Sequence, residues 1–206
     1  MEKNKWTQLA SVTSITKTVS ALKQNGIKAV VVENKNRAVA EVLKLLPKGA
    51  SAMNMTSVTL QELGIPKIIN ESSNYDSLRD KLNKMDRVKQ ELEMQKIGAA
   101  PEWVIGSVHA ITENGEILIA SNTGSQLGAY AYGSMHVIWI AGTQKIVKNL
   151  NDGFKRIYEH SLPLESERAK KAYGAKGSNV GKLLIVNKEI QSGRITLILV
   201  KELLGF

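Results

Sequence analysis

The strongest constraint on this chain is a rhythm: short apolar runs separated by segments whose apolar residues recur at helical spacing. "IKAVVVE" (27–33) is followed by a segment with Val39, Val42, Leu43 and Leu46 on one helical face, stopped at Pro47. "GASAMN" (49–54) then gives a second short strand, and "MTSVTLQELG" returns at once to helical character. Parallel strands need crossovers of about a dozen residues, usually a helix, so strand–helix–strand order at this spacing predicts βαβ units. Within "MTSVTLQELG", Thr59 and Glu62 stand at capping-box spacing with Gly64 as a stop, which places Met53 to Ser57 at a strand-to-helix junction.

Upstream, Leu9, Val12, Ile15, Val19 and Leu22 define an amphipathic N-terminal helix over about 6–25, ended by Gly26. Residues from Tyr75 to Ile97 are charged and poor in strand formers, which predicts two connecting helices. In "EWVIGSVHAITENGEILIAS" the pair Asn114-Gly115 between Val/Ile-rich flanks predicts a β-hairpin. The strand "MHVIWIAG" follows, then a helix predicted through Ile146, Val147, Leu150, Phe154, Ile157 and Tyr158. The strands "LLIVN" and "ITLILV" come last. The expected architecture is α/β, a three-layer α/β/α domain with a mostly parallel sheet spanning 1–206.

Composition narrows the functional classes. With no cysteine among 206 residues, the chain offers no disulfide, no thiolate nucleophile and no cysteine ligands for an iron-sulfur cluster. His109, His136 and His160 lack paired zinc spacing, so no metal site is expected. No stretch reaches the ~18 apolar residues of a membrane span, and the N-terminus lacks a signal-peptide pattern, so a cytoplasmic protein is expected. The net charge of +9 is spread over lysines from Lys3 to Lys201 with few aromatics among them. That pattern describes a solvated surface better than a nucleic-acid interface and leaves small anions as the expected partners.

Candidate chemistry gathers at polar loops between strands and helices. Asn54, Thr56 and Ser57 form one, Thr123, Gly124, Ser125 and Gln126 in "ASNTGSQLGAY" a second, and Gly142 to Lys145 in "GTQKIV" a third. Thr123 or Ser125 can cap a helix through Leu127 and Tyr130, and an anion can sit at its amides; the same residues also make an ordinary capped turn. Lys145 is a movable cation expected to begin a helix, or else a solvated one. Glu113 and His109 lie four apart, on one face if the strand is regular, and such a pair can shuttle protons; an exposed hairpin carboxylate and a structural histidine are the plain alternatives. Arg168, Lys182 and Arg194 offer further cations, each more often a salt-bridge partner or surface charge. Trp103, Tyr130, Tyr132 and Trp139 lack the spacing of a base-stacking ladder.

The segments "GSVHAITENGEILIASNTGSQLGAYAYGSMHVIWIAGTQKIVKNL" and "GRITLILVKELLGF" resemble the lactate-utilisation (LUD) domain family, over about Val30 to Phe206. The resemblance implies a fold similar to the NagB, ribose-5-phosphate isomerase and CoA-transferase superfamily. It implies an enzyme or accessory subunit acting on a small carboxylate or phosphorylated metabolite, in a system that oxidises L-lactate to pyruvate. Related superfamily enzymes use an acidic residue as base or nucleophile, a role that would fall to Glu113. The alternative is a non-catalytic metabolite-binding or assembly subunit whose iron-sulfur lactate-oxidising partner is a separate protein; homo-oligomerisation is compatible with either. The resemblance names no cofactor for this chain. Many relatives carry Arg where this loop has Gln126, which keeps hydrogen bonds but lacks the cation.

Overall fold

The computed structural model describes residues 4–206. Among the described residues ten strands form two sheets. The larger is a fully parallel six-stranded sheet of β1 (Lys28–Val32), β2 (Ser51–Asn54), β3 (Asp76–Ser77), β4 (Trp103–Gly106), β7 (His136–Gly142) and β10 (Ile195–Val200), in the order β1-β10-β7-β4-β2-β3. The smaller joins β5 (Ala110–Thr112), β6 (Ile117–Ser121), β8 (Ile146–Val147) and β9 (Lys182–Val186) in the order β8-β5-β6-β9.

Strand period 2 divides the core cleanly. Val137, Trp139 and Ala141 of β7 face one side with Val104, Leu197 and Leu199, while Ile138 and Ile140 face the other with Ile105, Ile198 and Val200. On the second side lie α2 (Lys35–Leu45), α3 (Val58–Glu62) and α4 (Ile65–Asn70), which contribute Ala38, Val42, Leu60, Ile65 and Ile69. On the first lie α1 (Val12–Gln24), α5 (Leu78–Lys84) and α6 (Glu91–Ala99), together with the inner face of the small sheet through Ile111, Ile117 and Ile119. Helices therefore cover both faces of a mostly parallel sheet, as the alternating pattern predicts. The small sheet is an added layer. Its outer face, with Ala110, Leu118 and Val147, packs on Leu150, Phe154 and Ile157 of α7 (Leu150–Arg156) and the turn that leads to α8 (Leu162–Tyr173).

The local signals explain most boundaries. Asn34 accepts the Arg37 amide at 3.0 Å to cap α2, which ends before Pro47. The Asn114-Gly115 turn joins β5 to β6 as an antiparallel hairpin, with Gly115 at φ 85° where a β-carbon would be strained. Three elements differ from expectation. Asp76 and Ser77, in the segment expected to hold only two connecting helices, pair with Ser51 and Ala52 as β3. The first helix starts at Val12, capped by Ser11, rather than near residue 6; Leu9 lies outside it and Val12 is exposed, so the stripe is shorter than its spacing suggests. Ile146 and Val147 are not helical: they pair with Ile111 and Thr112 as β8, and the helix starts only after the Asn149 cap.

Candidate functional site

In the large sheet β2 is followed by β3 on one side, whereas β4, β7 and β10 step away on the other. The chain therefore reverses direction between β2 and β4, and in open parallel sheets the carboxyl ends beside such a reversal leave a crevice. A cavity of about 310 Å³ lies there. Its walls include Thr56 and Ser57 after β2, Ser107 and His109 after β4, Thr123, Ser125 and Gln126 after β6, and Lys145 after β7. Thus all three polar loops singled out in the sequence contribute to one space. Arg168 and Glu165 of α8 border it as a closed pair, joined by two bonds of 2.6 and 2.7 Å.

Lys145 dominates the electrostatics. It does not begin a helix; it ends a short 3-10 turn (Thr143–Lys145) and is 2% exposed. Its Nζ donates to Thr59 Oγ1 at 3.2 Å, Ser107 Oγ at 3.2 Å and the Val108 carbonyl at 3.1 Å. All three acceptors are neutral, and among the described residues no carboxylate forms an ion pair with it. Burial, and then the charge of Arg156, hold its pKa well below the usual lysine value. Arg156 is fully buried beneath the same wall, donates to the His109 carbonyl and to Ser161 Oγ, and leaves Nε and Nη2 without a partner among the described residues. Its pKa is lowered to about 10 by burial. A buried amine and a buried guanidinium thus sit close to the cavity with no ion-paired carboxylate among the described residues, Glu62 opposing the shift of Lys145 only through its charge.

His109 presents a neutral ring. Its Nδ1 accepts the Ala120 amide at 3.1 Å, and burial, followed by the charges of Lys145 and Arg156, lowers its pKa to about 3. The proton on a neutral ring then sits on Nε2. Tyr130 closes another wall, 1% exposed and edge-to-face with Trp139 at 5.5 Å. Gly106 lets that phenol approach, because a β-carbon there would collide with the Tyr130 hydroxyl.

Other expected residues fall elsewhere. Glu113 is at the far end of the hairpin, bonded to Lys17 at 2.9 Å and Ser14 at 2.8 Å, and does not line the cavity. The Lys17 and Ser14 bonds hold its carboxyl below the usual range. The His109–Glu113 pair does not form, since β5 spans only Ala110–Thr112 and the two residues flank it at opposite ends. Asn54 is buried in β2, short of the cavity, its carbonyl taken by Arg79 at 2.9 Å. Gly124, at φ 86°, forms the turn beneath the Lys182 stem rather than the cavity wall. Ser125 donates its amide to Thr123 Oγ1, and the helical turn beyond it is short, ending in a wide π turn (Ala129–Gly133). Thr59 is not the cap of α3, which falls to Ser57; it is 1% exposed and touches Lys145. Nothing in the sequence pattern singles out Ser107 or Arg156. A serine directly after a β strand and an arginine on an amphipathic helix are both commonplace.

Among the described residues no group of three or more His, Asp or Glu side chains is placed to hold a metal ion, and no helix is long and apolar enough to cross a membrane. Fold and cavity together define an α/β domain whose candidate site lies at the direction reversal of a parallel sheet. A family model for the LUD domain matches residues 15–200, and the chain belongs to that family, which is associated with lactate utilisation. A crystal structure of a DUF162 family protein from Deinococcus radiodurans has a similar fold, with TM-score 0.54 and 13% identity over 94% of this chain and 99% of that one. The crystal structure of eIF2B beta from Chaetomium thermophilum matches more loosely, with TM-score 0.38 and 12% identity over 57% of this chain and 44% of that one. No curated protein gives a significant match.

Proposed function

We propose that the cavity binds a small organic acid or phosphorylated metabolite, and that the protein serves lactate utilisation as an enzyme or enzyme subunit through that site. The observation that carries this reading is a buried amine and a buried guanidinium, Lys145 and Arg156, beside a cavity whose lining carboxylate, Glu165, is already paired with Arg168. Burying the Arg156 charge without a counterion is costly, and an anion in the cavity offsets that cost and partners the protonated form of Lys145. The hydroxyls of Thr56, Ser57, Thr123 and Ser125 and the amide of Gln126 supply neutral donors around it. Glutamine in place of arginine at 126 leaves the fixed charge to Arg156, with Lys145 charged only when it takes up a proton.

An anion bound near Lys145 draws a proton onto the amine, so binding is accompanied by proton uptake and weakens as pH rises. The test is thermal unfolding with lactate, pyruvate and inorganic phosphate, on the native protein and on Lys145→Met. A ligand at a hundred times its Kd should stabilise the native protein by about 2.7 kcal/mol and leave the variant unchanged. Glu113→Gln, outside the cavity, should keep the full shift. Absence of a shift with all three acids, or an equal shift in Lys145→Met, would overturn the reading.

A further inference from the structure

The three oxygens around Lys145 Nζ are not equivalent. The Val108 carbonyl, at 3.1 Å, can only accept. Thr59 is 1% exposed, and its hydroxyl has a second acceptor in the Leu204 carbonyl at 3.4 Å. Ser107 is only partly buried and lines the cavity directly after β4, at the sheet's direction reversal. A neutral amine has two N–H groups and one lone pair. Because Val108 must take an N–H, the lone pair is left to a hydroxyl, and of the two hydroxyls Ser107 is the more open to the cavity. The Ser107 hydroxyl also lies 3.2 Å from Thr59 Oγ1, to which it can donate instead, so serine, threonine and lysine form a closed triangle in which the Ser107 proton has two acceptors.

We propose that Ser107 and Lys145 are the nucleophile and general base of an acyl-transfer site, which accepts a small acyl group from an ester or thioester and releases it as the organic acid. This rests on reading the cavity as a ligand site and adds the chemistry performed there. In acylation the Ser107 Oγ–acyl carbon bond forms and the bond from that carbon to the leaving oxygen or sulfur breaks. The hydroxyl proton moves to Lys145 Nζ and then to the leaving group. Water next attacks the acyl carbon and gives one proton to Lys145, which passes it to Ser107 Oγ as the Oγ–carbon bond breaks, and the released acid then gives its own proton to Lys145. The product carboxylate then lies beside a protonated Lys145, so the anion complex proposed above is the product state of this reaction. The lowered lysine pKa suits a base that must be neutral at the start of each cycle.

A fluorophosphonate probe tests the pair directly, since attack by an activated serine forms an Oγ–phosphorus bond and expels fluoride. Intact-mass analysis should find one adduct, mapped to Ser107, absent in Ser107→Ala and formed about 100-fold or more slowly in Lys145→Met. No adduct on the native protein, or an unchanged rate in Lys145→Met, overturns the proposal. If Lys145→Met does not fold, Ser107→Cys carries the test, because the natural chain has no cysteine and the new thiol is its only one. Its alkylation by iodoacetamide should show a midpoint below the ~8.5 of a free thiol, and an ordinary midpoint overturns the pairing. The acid titrations are read separately. A protein stabilised by lactate through Lys145 but inert to the probe keeps the binding function and loses the acyl chemistry. One labelled at Ser107 but unaffected by the acids does the reverse.

Discussion

Replacing His109 by Asn should remove a specific part of this protein's acid sensitivity. The substitution keeps a side-chain acceptor for the Ala120 amide and deletes the titrating ring. In the folded state the His109 pKa is about 3, lowered first by burial and then by Lys145 and Arg156, whereas an unfolded chain restores about 6.5. A depressed folded-state pKa means that the unfolded state binds the proton first as pH falls. The stability tied to the neutral ring is therefore complete above pH 6.5 and is lost as pH drops toward 3. At pH 5 the unfolded state has gained about 1.5 pH units of protonation free energy that the fold cannot match, or about 2 kcal/mol at 1.36 kcal/mol per unit. Urea unfolding of both proteins at pH 7, 6 and 5 measures it. The native protein should lose about 2 kcal/mol more than His109→Asn between pH 7 and 5. His160, held near pKa 4 by burial and by Arg156, and the carboxylates titrate in both proteins and cancel in the difference. A difference that stays flat with pH would show that the ring is not held neutral, and the charge balance drawn for the cavity wall would fail with it.

Two further substitutions probe how the wall is built. Gly106→Ala should cost about 1–3 kcal/mol in urea unfolding, because its β-carbon meets the Tyr130 ring in a packed core, and Tyr130→Phe should restore part of the loss. Arg194→Met should cost about 3–5 kcal/mol, since Arg194 is 5% exposed, holds the Ser134, Ala129 and Tyr130 carbonyls at 2.8, 3.2 and 2.9 Å, and pairs with Glu189 at 2.6 Å. A loss below 1 kcal/mol would mean that the turn carrying Tyr130 is fixed by other contacts.

The sheet was legible because its signals are local. Alternation along "HVIWIAG" states which residues face which helical layer, and Asn114-Gly115 and Pro47 act within a few residues of their effect. Ile146 and Val147 were misplaced because a two-residue strand carries no period of its own and fits the helical spacing that follows. Only Ile111 and Thr112, over thirty residues away, make it a strand. The loops of the candidate site were legible for a similar reason, as Gly, Ser and Thr at strand ends mark junctions whatever their use. Burial was not. Lys145 and Arg156 have the composition of surface cations, and their seclusion comes from elements scattered from Thr59 to Ser161. Glu113 shows the converse: four residues in a strand suggested a shared face with His109, but the hairpin strand is too short to hold them there.

The first strand of the large sheet lies at its edge, and its one neighbour there is β10: Lys28 to Val32 pair only with Thr196 to Val200. During synthesis on the ribosome, this segment has no strand to join until Thr196 to Val200 have emerged, more than 160 residues later. Such pairings, between segments far apart in sequence, form slowly and late. Until then its Ala-Val-Val-Val run stays without its native cover, a stretch of high β propensity open to the wrong neighbour. By its pairing, β1 cannot be seated before β10 exists, and until then its edge is a segment open to pairing with a second copy of the chain.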